Sequence, residues 1–259
     1  MAQSRDKRAG GKTPAKRGTK SKAPEAEPFT GFPPDLFDFL AELRRNNDRE
    51  WFTGNKQRYR ESVVEPMCSF IGAMDSVLGK VSDCFVADPR PNGGSMFRIY
   101  RDVRFSHDKR PYKEHAACHF RHIAGKDAHA PGFYMQLDPD EVIFGGGIWL
   151  PPSPVLRQVR ESICEDADEW LRITTSRAFR QRFGGVGGDG LKRPPRGFDP
   201  EHPCMEDLKR KSFFAMAHFD PATAQSRGFL SRVEKTVSAL EPFVEFLTRA
   251  AGHPFNLEP

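Results

Sequence analysis

The stretch from Arg98 to Lys113 holds six cationic side chains, Arg98, Arg101, Arg104, Lys109, Arg110 and Lys113, with Asp102 and Asp108 among them. Arginine presents a planar fork that matches phosphate or carboxylate, and lysine adds a mobile point charge. The chemistry such a run can do is anion capture, with the two aspartates orienting the cations or moving a proton. Arg98, Arg101, Arg104, Lys109, Tyr112 and Lys113 are the candidate anion contacts. Asp102, Asp108 and His119 are the candidate acid–base groups. Read as a strand, the run puts Arg98, Tyr100, Asp102 and Arg104 on one face. Phe97, Ile99, Val103 and Phe105 then share the other, with Arg101 intruding. A guanidinium on an apolar face requires a carboxylate, a carbonyl or a bound anion as partner. An internal network locking strand to loop is the plainer reading for Arg101 and Asp102. Ligand contact is the reading for Arg104, Lys109 and Lys113.

His115, His119 and His122 have metal-like spacing only on a helix, and the local pattern alternates instead. Alternation puts His119 and Arg121 on one side, Cys118 and Phe120 on the other, and turns His122 away from His119. No metal site is therefore expected. The sequence assigns no particular cofactor. Gly145-Gly146-Gly147 lacks the Lys-Ser/Thr of a phosphate loop and reads as close packing or a bulge. Gly184 to Gly188 follows a helix, so it reads as a flexible loop and not a dinucleotide fingerprint.

The elements that must position these groups can be read from periodicity. Leu36, Phe39, Leu40 and Leu43 mark a first helix, closed by Asn46-Asn47-Asp48. Apolar residues from Tyr59 to Val81 mark a long second helix with Pro66 as a kink. Period-two patterns predict strands over Met96–Phe105, Ala116–Ile123, Phe133–Leu137 and Glu141–Phe144, the last two joined by an Asp138-Pro139-Asp140 turn. Helices follow at about Val155–Ile163 and Asp166–Phe183, then a Gly/Pro-rich loop, then a strand over Phe213–Phe219. A final helix carries Leu230, Val233, Val237, Leu240, Val244 and Leu247, with Pro242 inside it. Strands in the middle and helices at both ends predict an α+β fold with a mostly antiparallel sheet.

Composition narrows the classes. The chain has 259 residues, and 22 phenylalanines against 4 tyrosines point to an aromatic core. Residues 1–24 contain eight Lys or Arg and one Asp, 8 − 1 = +7; with +5 for the whole chain, residues 25–259 carry 5 − 7 = −2. The basicity therefore belongs to the tail. Residues 1–28 have too little apolar surface to offset chain entropy and are expected to be disordered, followed by a single domain over residues 29–259. Such a tail can hold nucleic acid or an acidic protein. No run is long and apolar enough for a membrane span, and no secretory signal is evident. Five cysteines without a C-x-x-C pair read as free thiols in a reducing cytoplasm.

Several blocks in this order resemble one family. They are Asn46-Asn47, Trp51-Phe52, Asn55-Lys56, Tyr59 and Pro66; then Arg98, Tyr100-Arg101-Asp102, Arg104-Phe105-Ser106, Asp108-Lys109 and Pro111-Tyr112-Lys113. Gly132-Phe133-Tyr134, Gly145-Gly146-Gly147 with Trp149 and Pro151, Gly197-Phe198, His202-Pro203 and Leu208-Lys209 follow. The chain resembles the conserved-hypothetical family catalogued as domain of unknown function 2461 across about residues 29–250. The resemblance implies a soluble α+β domain and no assigned activity. It leaves His107 and Arg110 outside the pattern and shifts weight to Arg101, Asp102, Arg104, Asp108, Lys109 and Lys113.

Three functions fit. The first is a protein that binds or acts on a phosphorylated or carboxylated small molecule through residues 98–113. The others are a nucleic-acid-associated protein and a protein-interaction module without chemistry.

Overall fold

The computed structural model describes residues 29–125 and 129–257. The expectation of a disordered segment over residues 1–28 lies outside the described residues. The chain begins with α1 (Pro34–Arg45), α2 (Arg49–Gly54) and α3 (Lys56–Tyr59). A π turn over Arg60–Val64 then leads into α4 (Glu65–Leu78). The sheet strands are β1 (Ala116–Arg121), β2 (Gly132–Leu137), β3 (Val142–Ile148) and β4 (Phe213–Phe219). Between β3 and β4 lie α5 (Ser153–Glu165), α6 (Ala167–Thr174), α7 (Arg177–Phe183) and α8 (Met205–Leu208). The chain closes with α9 (Pro221–Ala224) and α10 (Phe229–Ala250). The strands follow in the order β1-β2-β3-β4, every pair antiparallel, so the fold is α+β.

Local chemistry explains most boundaries. Pro34 occupies the first position of α1, where a missing N–H costs little. Asp48 caps α2 by accepting the N–H groups of Glu50 and Trp51 at 2.9 Å. The long helix read from Tyr59 onward is instead α3, the π turn and α4. Pro66 is the reason: it has no N–H for the fourth carbonyl back and its ring crowds that carbonyl, and the wider turn ahead of it relieves both. The helix read over Asp166–Phe183 is divided into α6 and α7, because Ser176 starts a new helix by accepting the Phe179 N–H at 3.2 Å.

The expected strand over Met96–Phe105 is not regular. Met96 pairs with Cys118 and Tyr100 with Tyr112, so four steps on one side (100 − 96) face six on the other (118 − 112). The two extra residues break the ladder as a bulge does. What remains is an irregular hairpin beside β1, held by Phe97 N–H to Ala117 O at 2.9 Å, Lys113 N–H to Ile99 O at 2.7 Å and Arg101 N–H to Pro111 O at 2.9 Å.

One sheet face is the core. Cys118, Phe120, Phe133, Met135, Phe144 and Ala215 are buried there, and α10 lies along β3 with Val233, Val237, Leu240, Val244 and Leu247 buried. α4 reaches the same core, its Phe70 ring 6.4 Å from that of Phe120. β3 continues past its expected end at Phe144 through Gly145-Gly146-Gly147. Gly146 sets the approach of α10, since a Cβ there would lie 2.8 Å from Val244 Cγ2 and 3.1 Å from Phe133 Cδ1. No helix among the described residues is long and apolar enough to cross a membrane.

Gly146→Val overpacks this contact, where both neighbours are held in the core. It is expected to lower unfolding free energy by about 1–3 kcal/mol in urea titration, with the denaturant slope unchanged.

Candidate functional site

The hairpin over residues 96–118 is anchored from outside by Asn47. Its side-chain amide donates to the Tyr112 carbonyl at 3.1 Å, and its oxygen accepts the Tyr112 N–H at 3.1 Å. One asparagine thus supplies both bonds a neighbouring strand would give. The Tyr112 ring is buried and stacks on Phe52 of α2, centroids 4.1 Å apart. A second tie joins α1 to the turn between β2 and β3: Arg44 reaches Asp138 at 2.8 Å and Asp140 at 2.7 Å.

The charged run forms the hairpin tip. Arg101 Nη1 meets Asp108 Oδ2 at 2.6 Å, and Arg110 meets the same oxygen at 2.7 Å. Arg110 also bridges to Glu114. Arg104 and Asp102 form an exposed two-pronged pair, at 2.9 and 2.7 Å. Lys109 Nζ donates to the Val103 carbonyl at 3.0 Å. Phe105 is 95% exposed at the tip, with the Arg104 guanidinium 5.8 Å from its ring centre. Hydrogen bonds from Arg104 hold the Asp102 carboxyl down to about 2. Those from Arg110 and then Arg101 hold Asp108 well below the ordinary carboxylate range. Carboxyls lowered in this way stay ionised at neutral pH. Their pairs are lost only as pH falls through those lowered values.

The second sheet face is different in kind. His119, Tyr134, Gln136, Ile143, Phe214 and Met216 are half-buried there, and cross-strand register aligns His119 with Tyr134, Gly145 and Met216. Gly132, Gly145 and Gly147 occupy this face of the two central strands, so the floor between the larger side chains is mostly backbone. A cavity of about 410 Å³ results, walled by Phe97, His119, Tyr134, Trp149, Phe214 and Met216. Gly132 makes room for the imidazole: a Cβ there would lie 2.8 Å from His119 Nε2. The His119 ring lies nearly parallel to Phe97, 8° between planes. Tyr134 donates its hydroxyl to Gln136 Oε1 at 2.9 Å, and burial pushes the phenol up to about 12. At the rim, Trp149 is 52% exposed; the next residue, Leu150, holds φ at 41°, a conformation costly for a side chain of its size.

Lys113 packs against Phe97, one wall of this cavity. Its ammonium lies 5.2 Å from the Phe97 ring centre, and it makes no salt bridge among the described residues. Burial and then the nearby Arg98 push its pKa down from 10.5, the direction expected of a cation without a compensating anion.

The candidates named from sequence therefore divide. Arg101, Arg104, Asp102 and Asp108 meet one another on the tip. Lys109 binds backbone, and Tyr112 is a buried anchor. Arg98 is exposed. Of the three acid–base candidates, only His119 lines the sheet cavity. Sequence reasoning missed Phe97, Tyr134, Trp149 and Phe214 as cavity walls. The available signal was glycine on alternate positions of two neighbouring strands, Gly132 on one and Gly145 and Gly147 on the other. His122 faces away as alternation predicts. Its Nδ1 accepts the Ala124 N–H at 3.1 Å, which leaves Nε2 to donate to the Pro254 carbonyl at 2.8 Å. No group of three His, Cys, Asp or Glu side chains suited to a metal occurs among the described residues. All five cysteines are free.

The conserved hypothetical protein family DUF2461 matches residues 35–246, which takes in both the hairpin and the sheet. The chain belongs to this family. Comparison with curated proteins gives no match. The family's description assigns no activity, so the function rests on the site's own geometry.

Asp108→Asn removes the carboxylate shared by Arg101 and Arg110. Amide exchange at Arg101 and Lys113, whose N–H groups close the hairpin, is expected to accelerate, with exchange in β2 and β3 unchanged. Equal acceleration across the sheet would place Asp108 in global stability instead.

Proposed function

We propose that the chain binds a small molecule with a flat, apolar body and a phosphate or carboxylate group on the partly open sheet face. The body lies over the glycine floor between Phe97, His119, Tyr134 and Phe214, and Lys113 meets the anion. The observation that carries this reading is Lys113, a half-buried ammonium with no carboxylate partner among the described residues, which lies over the ring of Phe97, a wall of the aromatic-lined cavity. An anion placed there gains a charge-assisted hydrogen bond and restores the lysine's preference for its proton. Apolar pockets with a few placed polar groups are the usual form of small-ligand sites, and backbone strain at Leu150, next to the wall residue Trp149, is a frequent companion of them. His119 is the residue placed to exchange a proton with a bound molecule. Asp102 and Asp108 act at one remove, by holding Arg104, Arg101 and Arg110.

Thermal unfolding of the full chain against aromatic carboxylates and aryl phosphates tests this. A ligand at about 100 times its dissociation constant adds roughly 2.7 kcal/mol, a clear upward shift of the midpoint. The shift is expected to vanish in Lys113→Met and to persist in Arg104→Ala. The reverse pattern would move the anion contact to the hairpin tip and overturn the reading. Binding is also expected to weaken as pH rises through the Lys113 titration, below the ordinary 10.5, because only the protonated amine holds the anion.

A further inference from the structure

A second and larger concavity lies on the other side of Phe97. It has a volume of about 1050 Å³ and runs between α2, α3, the π turn and the start of α4 on one side and residues 89–100 on the other. Its wall chemistry differs from that of the sheet cavity. Lys56 and Arg60 project from the helical wall and Arg98 from the opposite one. Lys56 and Arg98 make no salt bridge among the described residues, and Arg60 has Glu65 at 3.4 Å, with both side chains largely exposed. The concavity therefore presents three cations against one acid.

Aromatic surface lies among these charges. Tyr100 is 58% exposed, yet its ring is backed by Tyr112 at 5.4 Å and by Phe52 at 6.4 Å. Such a ring is fixed from behind and open in front. Tyr59, packed on Phe39 and Phe52 at 5.7 and 5.2 Å, also lines the groove.

The π turn shapes this wall. In an α-helix, residues four apart drift by about 40° per step around the axis, so a row of them leaves any one face within a few turns. The wider turn over Arg60–Val64 counters that drift, and Lys56, Arg60, Val64 and Cys68 all line the groove. Single π turns recur at functional sites for this kind of re-aiming.

We propose that this groove binds single-stranded nucleic acid, with Lys56, Arg60 and Arg98 facing phosphates and Tyr100 stacking a base. Cations that track a backbone, interleaved with fixed aromatic faces, are the means by which proteins hold unpaired strands. A duplex hides its base faces and cannot use the Tyr100 platform. The inference goes beyond the anionic small-molecule reading: it uses another cavity and does not involve Lys113 or His119. The shared chemistry, phosphate with a planar base, belongs also to a free nucleotide, and the test separates the two.

The full chain is titrated with a fluorescein-labelled oligodeoxythymidine and with a duplex of equal length, followed by anisotropy. The basic segment 1–24 adds phosphate affinity to both. Tyr100→Ala is expected to weaken single-strand binding roughly tenfold while leaving duplex binding unchanged. A Lys56→Ala, Arg98→Ala double variant is expected to flatten the salt dependence, and Lys113→Met to leave the oligonucleotide titration as in the parent. Photocrosslinking with a bromouracil-substituted strand is expected to label the peptide containing Tyr100. Competition by thymidine monophosphate at concentrations near those of the oligonucleotide would assign the groove to free nucleotides, within the same chemistry. Equal affinity for strand and duplex, or crosslinks confined to residues 1–28, overturns the proposal. Unaltered thermal midpoints in the variants guard against a folding artefact.

Discussion

Burial of one face of the four-stranded sheet against α10 governs the rest of the molecule. A strand alternates its side chains, so once Phe120, Phe133, Met135 and Phe144 are committed to the core, the opposite residues have no choice of side. His119, Tyr134, Gln136 and Phe214 must share the second face. Gly146 strengthens the commitment, because the tight approach of Val244 admits no side chain there. A slip of one residue in register would exchange the core face for the other and lose the aromatic packing. The cavity is therefore the complement of the core.

Electrostatics sets the role of the hairpin. Six cations within sixteen residues would repel, and three of them are neutralised locally. Asp108 serves both Arg101 and Arg110, Asp102 serves Arg104, and Glu114 serves Arg110. Most of this is solvent-exposed pairing. It shapes the tip more than it stabilises the fold. Lys109, Lys113 and Arg98 are outside this scheme: Lys109 donates to a backbone carbonyl, Lys113 is half-buried against Phe97, and Arg98 is exposed at the groove. Phe97, which follows Met96 in the irregular ladder, forms a wall of both concavities.

The helical half contributes through its breaks. Asn46, Asn47 and Asp48 end one helix, pin the hairpin and start the next helix, so three consecutive polar residues do three jobs. Pro66 disrupts the helix that would otherwise continue, and the π turn ahead of it gives the groove its straight wall.

Much of the architecture was legible from residue pattern alone. Periodicity placed α1, β1, β2, β4 and α10, because a single buried face imposes a strict repeat on each. It also separated His119 from His122, since alternation on a strand is local. The loss of regularity over Met96–Phe105 was not legible, because it arises from unequal lengths on two paired segments. Nor was the π turn, which depends on how a proline is accommodated after packing. The charged run was visible as chemistry, but its partition was not: that Asp108 would serve Arg101 while Lys113 stood apart follows from the fold of the hairpin. By itself the sequence determined most of the elements, the α+β class and which residue types could meet an anion. Only the tertiary structure decided which of them stand unpaired beside a cavity. A repeat reports each residue's own surroundings, whereas a site is made by distant segments whose juxtaposition no local pattern records.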